Sequence, residues 1–147
     1  MPFKRKTFKA KGKSHSNAKK VIYNGIEFDS GLEADFYKQA LLRGLPVEVK
    51  PETVVLLQSF EFGKTLRGSK HVVDGISYTY DFRIGSHYIE TKGMLTKDAS
   101  IRIRLFKHYL LTHRSGSCFY MPRKATDIGL VLDLIQGIPR KKLKKAK

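Results

Sequence analysis

Ile76-Ser77-Tyr78-Thr79-Tyr80-Asp81-Phe82-Arg83-Ile84, then Gly85-Ser86, then His87-Tyr88-Ile89-Glu90-Thr91-Lys92, is the stretch whose pattern decides the fold. Ile76, Tyr78, Tyr80, Phe82 and Ile84 alternate with Ser77, Thr79, Asp81 and Arg83, the period of a half-buried strand. Gly85-Ser86 suits a two-residue type II′ turn, after which a partner strand runs back and ends at Gly93. A turn centred there sets Ile84 against His87, Arg83 against Tyr88, Phe82 against Ile89, and Asp81 against Glu90. Two acids so opposed, with Cβ atoms roughly 4.5–5.5 Å apart, destabilise the hairpin unless something neutralises them. A divalent cation does so, and hard carboxylate oxygens suit Mg²⁺, with Mn²⁺ as a substitute. Lys92, two residues beyond Glu90, returns to the same face, placed to orient or deprotonate an attacking water and to stabilise transition-state charge. The competing reading is a pair of solvent-facing acids on an amphipathic hairpin. The catalytic reading gains from context: strand, turn, strand, Gly93 at the strand end, and a helix with basic residues next.

Upstream, Asn24-Gly25 between Lys20–Tyr23 and Ile26–Phe28 is the pair best suited to a type I′ hairpin turn. Ser30-Gly31-Leu32-Glu33 has the form of a capping box and predicts a helix that buries Leu32, Phe36 and Ala40 and stops at Gly44. Pro46 to Val49 and Thr53 to Phe62 read as extended, and Gly63 to Lys70 as a loop. Downstream, Thr96 or Asp98 caps a helix to about His113, with Ile101, Leu105 and Tyr109 at helical spacing and Arg102, Arg104 and Lys107 elsewhere on its circumference. Ser117 to Met121 predicts a further core strand, and Asp127 caps a last helix ended by Gly137 and Pro139.

A chain of 147 residues fits one domain, and its net charge of +16 is unevenly spread. Residues 1–20 hold seven Lys and one Arg, residues 139–147 five Lys and one Arg, and neither stretch holds an acid. The remaining 15 Lys and Arg face all 13 Asp and Glu, an ordinary balance for a folded domain. The expected organisation is a basic flexible arm (1–20), a folded domain (21–138) and a basic tail (139–147), with the arms meeting a polyanion through counterion release. Neither arm shows the amphipathic face of a membrane-surface helix, and runs such as Val54 to Leu57 are too short to span a bilayer. A cytoplasmic location, with no membrane partner, is the expectation. The single cysteine, Cys118, reads as a buried inert thiol, and no zinc-type spacing occurs.

Tyr80-Asp81 on one strand and Glu90-Thr91-Lys92-Gly93 on the next resemble the paired signature of the PD-(D/E)XK, or restriction-endonuclease-like, nuclease superfamily. That family's core runs helix, three strands, helix, strand, the order expected here from Ser30 to Met121. With Ser30-Gly31-Leu32-Glu33 on the first helix, Tyr78-Thr79-Tyr80-Asp81-Phe82 and Glu90-Thr91-Lys92-Gly93 are more specifically similar to the bacteriophage endonuclease I group of Holliday-junction resolvases and related small phage nucleases. Tyr80 stands where the signature often has Pro. The resemblance implies an α/β fold with a mixed central sheet, an endodeoxyribonuclease activity, a host-cytoplasm location for a phage-encoded chain, and Glu33 as a further metal-site acid. Against that last role, Glu at the third position of a capping box serves the helix.

The reading is therefore a Mg²⁺-dependent endonuclease acting on branched DNA. Glu33, Asp81 and Glu90, with the Thr91 carbonyl, hold metal, and Lys92 assists the water. Arg102, Arg104, Lys107, Arg123 and Lys124 are candidate phosphate contacts. Two cuts in a junction imply a homodimer. The rivals are a non-catalytic basic nucleic-acid-binding protein and a nuclease specific for flaps or linear duplex.

Overall fold

The computed structural model describes residues 18–139, so nearly all of both basic arms lies outside the described residues. The order is β1 (Val21–Tyr23), β2 (Ile26–Phe28), α1 (Gly31–Leu42), β3 (Glu48–Val49), β4 (Thr53–Leu57), β5 (Phe60–Lys64), β6 (Lys70–Val73), β7 (Ile76–Thr79), β8 (Phe82–Ile84), β9 (His87–Ile89), α2 (Lys97–His113), β10 (Cys118–Tyr120) and α3 (Ala125–Ile135). The fold is mixed α/β, with several small sheets and three helices. A four-stranded sheet, ordered β10-β9-β8-β3, is antiparallel except for the parallel pair β9–β10, and β1–β2, β4–β7 and β5–β6 form two-stranded ribbons.

Local chemistry explains the boundaries. Asn24 (φ 51°) and Gly25 (φ 74°) take the positive angles of the β1–β2 turn. The Ser30 hydroxyl accepts from the Glu33 N–H (3.2 Å) at the start of α1, and Thr96 does the same for α2 through Ala99 (3.2 Å). Asp127 supports α3 from inside the helix: its carboxylate accepts from the N–H groups of Arg123 (2.9 Å) and Lys124 (3.2 Å), and Lys124 is the N-cap.

Successive residues of β9 point to opposite faces, and the core divides accordingly. Ile89 joins Phe28, Phe36, Phe82 and Ile84 with residues of α3, whereas Tyr88 joins Val54, Tyr78, Tyr80 and the α2 residues Ile103, Phe106 and Leu110. Phe36 stacks on Phe82 with ring centroids 4.9 Å apart, and each such buried ring contributes roughly 1.5–3 kcal/mol. Arg43 ties α1 to α3 through Asp133 (2.6 Å) and Gln136 (3.0 Å).

Four expectations need correction. The strand expected from Ile76 to Ile84 breaks at Tyr80–Asp81, because β7 pairs with β4 while β8 pairs with β3 and β9. Tyr78 and Tyr80 therefore enter one cluster and Phe82 and Ile84 the other, although all share one parity. The segment expected as one strand and a loop folds into β4 and then the β5–β6 hairpin, with its turn at Thr65–Ser69. On α2 the buried residues are Ile103, Phe106 and Leu110; Ile101 is half exposed, and Tyr109 is only partly buried. The Phe106 ring decides that rotation, since it meets Tyr78, Tyr80, Tyr88 and Phe119 at centroid distances of 4.7–5.8 Å. Cys118 is half-buried rather than buried. Among the described residues, no helix is long and apolar enough to cross a membrane.

Candidate active site

Asp81 sits at the bend between β7 and β8, held on both sides by backbone. Its N–H donates to the Ile89 carbonyl (3.1 Å) and its carbonyl accepts from the Lys50 N–H (2.8 Å). Pairing of β8 with β9 keeps the expected register, Ile84 with His87, Arg83 with Tyr88 and Phe82 with Ile89, and stops there. Glu90 is not drawn into a ladder pair with Asp81. Beyond Ile89 the chain follows β10 instead, with Glu90 N–H on Tyr120 O (3.0 Å) and Lys92 N–H on Pro122 O (3.1 Å). The divergence takes Glu90 out of the ladder position opposite Asp81, yet the two charges still repel. It also exposes the Thr91 N–H and hydroxyl to Asp81, whose Oδ2 accepts from both at 2.8 Å.

Glu33, Asp81, Glu90 and Thr91 are the buried polar residues among those described, each at most 8 % exposed. Burial raises the pKa of all three acids. The Asp81 charge adds to the rise at Glu33 and at Glu90, whereas the Thr91 hydrogen bonds work against the rise at Asp81. Glu90 is pushed up to about 7, by desolvation first and Asp81 second. Its Oε2 is buried without a hydrogen-bond partner, as is the Tyr78 hydroxyl. The two interact closely enough for the phenol to favour the Glu90 charge, yet their geometry falls short of a hydrogen bond. Both polar atoms are thus left buried and unpaired, which is costly unless a further group satisfies them. Lys92 Nζ lies 4.0 Å from Glu90 Oε1, on the expected side.

Glu33 is engaged at the helix N-terminus through both its backbone and its carboxylate. Its N–H serves the Ser30 cap, and its Oε2 accepts from the Asp29 N–H (3.1 Å). The Lys50 ammonium lies 3.7 Å from that oxygen and 2.6 Å from Asp29 Oδ2. Burial disfavours the Lys50 charge, but the Asp29 hydrogen bond and the surrounding acids outweigh it and raise its pKa. Lys50 was absent from the sequence reading. It follows the two-residue strand β3 and has a positive φ of 43°, a conformation no local pattern announces.

Among the described residues, no group of three or more His, Cys, Asp or Glu side chains converges to hold a metal ion. Asp81 and Glu90 form the available pair, and Mg²⁺ needs only one or two carboxylates because it retains water. The donor set and the unpartnered Glu90 Oε2 fit such an ion; the Glu33 carboxylate is already engaged by Asp29 and Lys50.

The candidate phosphate contacts divide. Arg123 reaches the site's edge, donating to the Gly93 carbonyl (3.1 Å), and Lys124 starts α3 beside it. The N-termini of α2 and α3 thus follow the ends of β9 and β10, where helix dipoles favour anions. Arg102 instead donates to Ser77 O (2.9 Å) and Lys107 lies over the Phe119 ring (5.3 Å), while Arg104 is exposed. Glu52 forms a separate network with Tyr80 (2.7 Å) and Arg114 (2.7 and 2.9 Å), and Arg114 also reaches the Tyr88 hydroxyl (2.7 Å). It ties the residue after β7 and the C-cap of α2 to β9 without joining the acids.

No curated protein and no solved structure matches the chain. A family model described as "Protein of unknown function (DUF1064)" matches residues 13–122, a span that includes Glu33, Asp81, Glu90, Thr91 and Lys92, and the chain belongs to that family.

Proposed function

We propose that this chain is a Mg²⁺-dependent endonuclease with a restriction-endonuclease-like core, hydrolysing phosphodiesters in branched DNA, with four-way junctions as the substrate and a homodimer supplying the two cuts. The observation that carries the reading is the buried pair Asp81 and Glu90 beside Lys92, with Glu90 Oε2 lacking a partner. Further support comes from the order in which the four-stranded sheet is filled: α1, then β3, β8 and β9, then α2, then β10 parallel to β9.

Asp81 and Glu90 would hold the ion, joined by the Thr91 carbonyl, with Glu33 alongside. A bound divalent cation supplies charge neutralisation at the phosphate and a lower pKa for the attacking water. The chain's own residues do the positioning. Thr91 fixes one Asp81 oxygen through two hydrogen bonds, so the other is presented without rotational freedom. Lys92 orients the water and meets the charge that develops on the phosphoryl oxygens. Arg123, Lys124 and the helix N-termini hold flanking phosphates.

A panel of labelled four-way junction, flap, linear duplex and single strand, incubated with Mg²⁺ or chelator, tests this. Paired Mg²⁺-dependent cuts confined to the junction are expected. Equal cutting of linear duplex would discard junction specificity, and binding without cutting in Mg²⁺ and Mn²⁺ would leave a nucleic-acid-binding protein.

A further inference from the structure

The β5–β6 hairpin has features that a purely structural hairpin would avoid. All of β5 is exposed and β6 nearly so; each strand's ladder partner is the other. Phe62 is 70 % exposed and Leu66, at the tip, is fully exposed. Lys64 and Lys70 are direct cross-strand partners, an arrangement in which like charges repel, and Arg67 lies in the turn between them. Glu61 neutralises Lys70 (3.1 Å), whereas Lys64 and Arg67 have no acidic partner among the described residues.

The arm is ordered at both ends. Its tip is closed by Thr65 N–H on Ser69 O (2.7 Å) and Gly68 N–H on Thr65 O (2.9 Å). At its base, a Cβ on Gly75 would lie 2.6 Å from Leu57 O and 3.0 Å from Ser59 N, so the strands entering and leaving the hairpin approach as only glycine permits. From Gly75 to Asp81 the chain is six residues of mostly extended backbone, roughly 20 Å, which places the arm's root within reach of a duplex engaged at the acids.

We propose that this hairpin is a DNA-reading arm: its strands enter the major groove of duplex DNA, Lys64 and Arg67 meet the phosphates on its walls, and Leu66 contacts bases. The inference rests on the DNA-substrate reading above and names the part of the duplex the protein touches outside the acids. A two-stranded ribbon fits the B-form major groove, and paired cations with an exposed apolar tip complement phosphates around base edges. The deep, narrow groove of an RNA duplex excludes the same ribbon.

The chain has no Trp, so Leu66→Trp installs a single reporter at an open turn position. The full-length variant would be titrated with a labelled DNA duplex in chelator, reading label anisotropy for binding and Trp emission with acrylamide quenching for the tip. Saturable protection of the Trp in step with anisotropy is expected. Replacing Lys64 and Arg67 by Ser should also lower the salt slope of binding by about two contacts' worth, near 1.8 in log–log units. Unchanged Trp accessibility on fully bound DNA would overturn the proposal, as would equal protection by an RNA duplex or an unchanged salt slope. Chelator keeps cleavage out of the readout, so a silent Trp with intact junction cutting condemns the arm alone. A protected Trp with no cutting condemns the nuclease reading alone.

Discussion

Replacing Glu90 by Gln removes a negative charge from a buried position while keeping the side-chain shape. Burial and the neighbouring Asp81 charge push the Glu90 pKa up to about 7 from an ordinary value of 4.5. An acid whose folded pKa is raised binds its proton more tightly when folded, so the stability linked to it is complete below 4.5 and is lost as pH climbs through about 7. The difference corresponds to about 3 kcal/mol at pH 8. In chelator, Glu90→Gln should match wild type near pH 4.5 and exceed it at pH 8, by about 3 kcal/mol in urea denaturation or roughly 6–12 °C in Tm. Mg²⁺ at millimolar concentration should raise the wild-type Tm at pH 8 and leave the variant nearly unmoved, because the ion stabilises the state that binds it. A variant that is no more stable than wild type at pH 8 in chelator would refute the idea that Glu90 is held there at an electrostatic cost.

Thr91→Val keeps the backbone bond to Asp81 but deletes the 2.8 Å hydroxyl bond; the Mg²⁺ concentration giving half-maximal cleavage should rise about 10–100-fold, as for lost outer partners of a metal ligand. An unchanged requirement would show that the hydroxyl does not position Asp81. Gly75→Ala forces backbone apart at the root of the β5–β6 arm, and a loss of about 1–3 kcal/mol by urea denaturation is expected; wild-type stability would mean the arm's root yields without cost.

How much of this was legible in the sequence follows from the range of each interaction. The β1–β2 turn, the Ser30 cap and the Gly85-Ser86 hairpin depend on residues within a few places of one another, and all three form as expected. The break at Tyr80–Asp81 depends on β4 and β3 competing for successive parts of one segment, which alternation alone cannot display. The same alternation led to a direct Asp81–Glu90 opposition; pairing of Glu90 and Lys92 with Tyr120 and Pro122 diverts it. Lys50 was hidden because its contact with Glu33 arises only once β3 has docked on β8. The face of α2 was misjudged because Ile101 and Leu105 match helical spacing as well as Ile103, Phe106 and Leu110 do, and only the aromatic cluster around Phe106 separates them. The strand expected from His87 to Lys92 ends at Ile89, although Lys92 Nζ is still found beside Glu90.

Phosphodiester hydrolysis at the Asp81–Glu90 pair is the proposed activity. Its most direct test is the rate of cutting of a labelled four-way junction by wild type and Asp81→Asn, with Mg²⁺ and with chelator, at protein concentrations that bind the junction fully. Cleavage by wild type only when Mg²⁺ is present is expected, with a loss of about 10³-fold or more in the variant, on the scale of several kcal/mol of transition-state stabilisation. Equal rates for the two proteins, or cutting that persists in chelator, would contradict it.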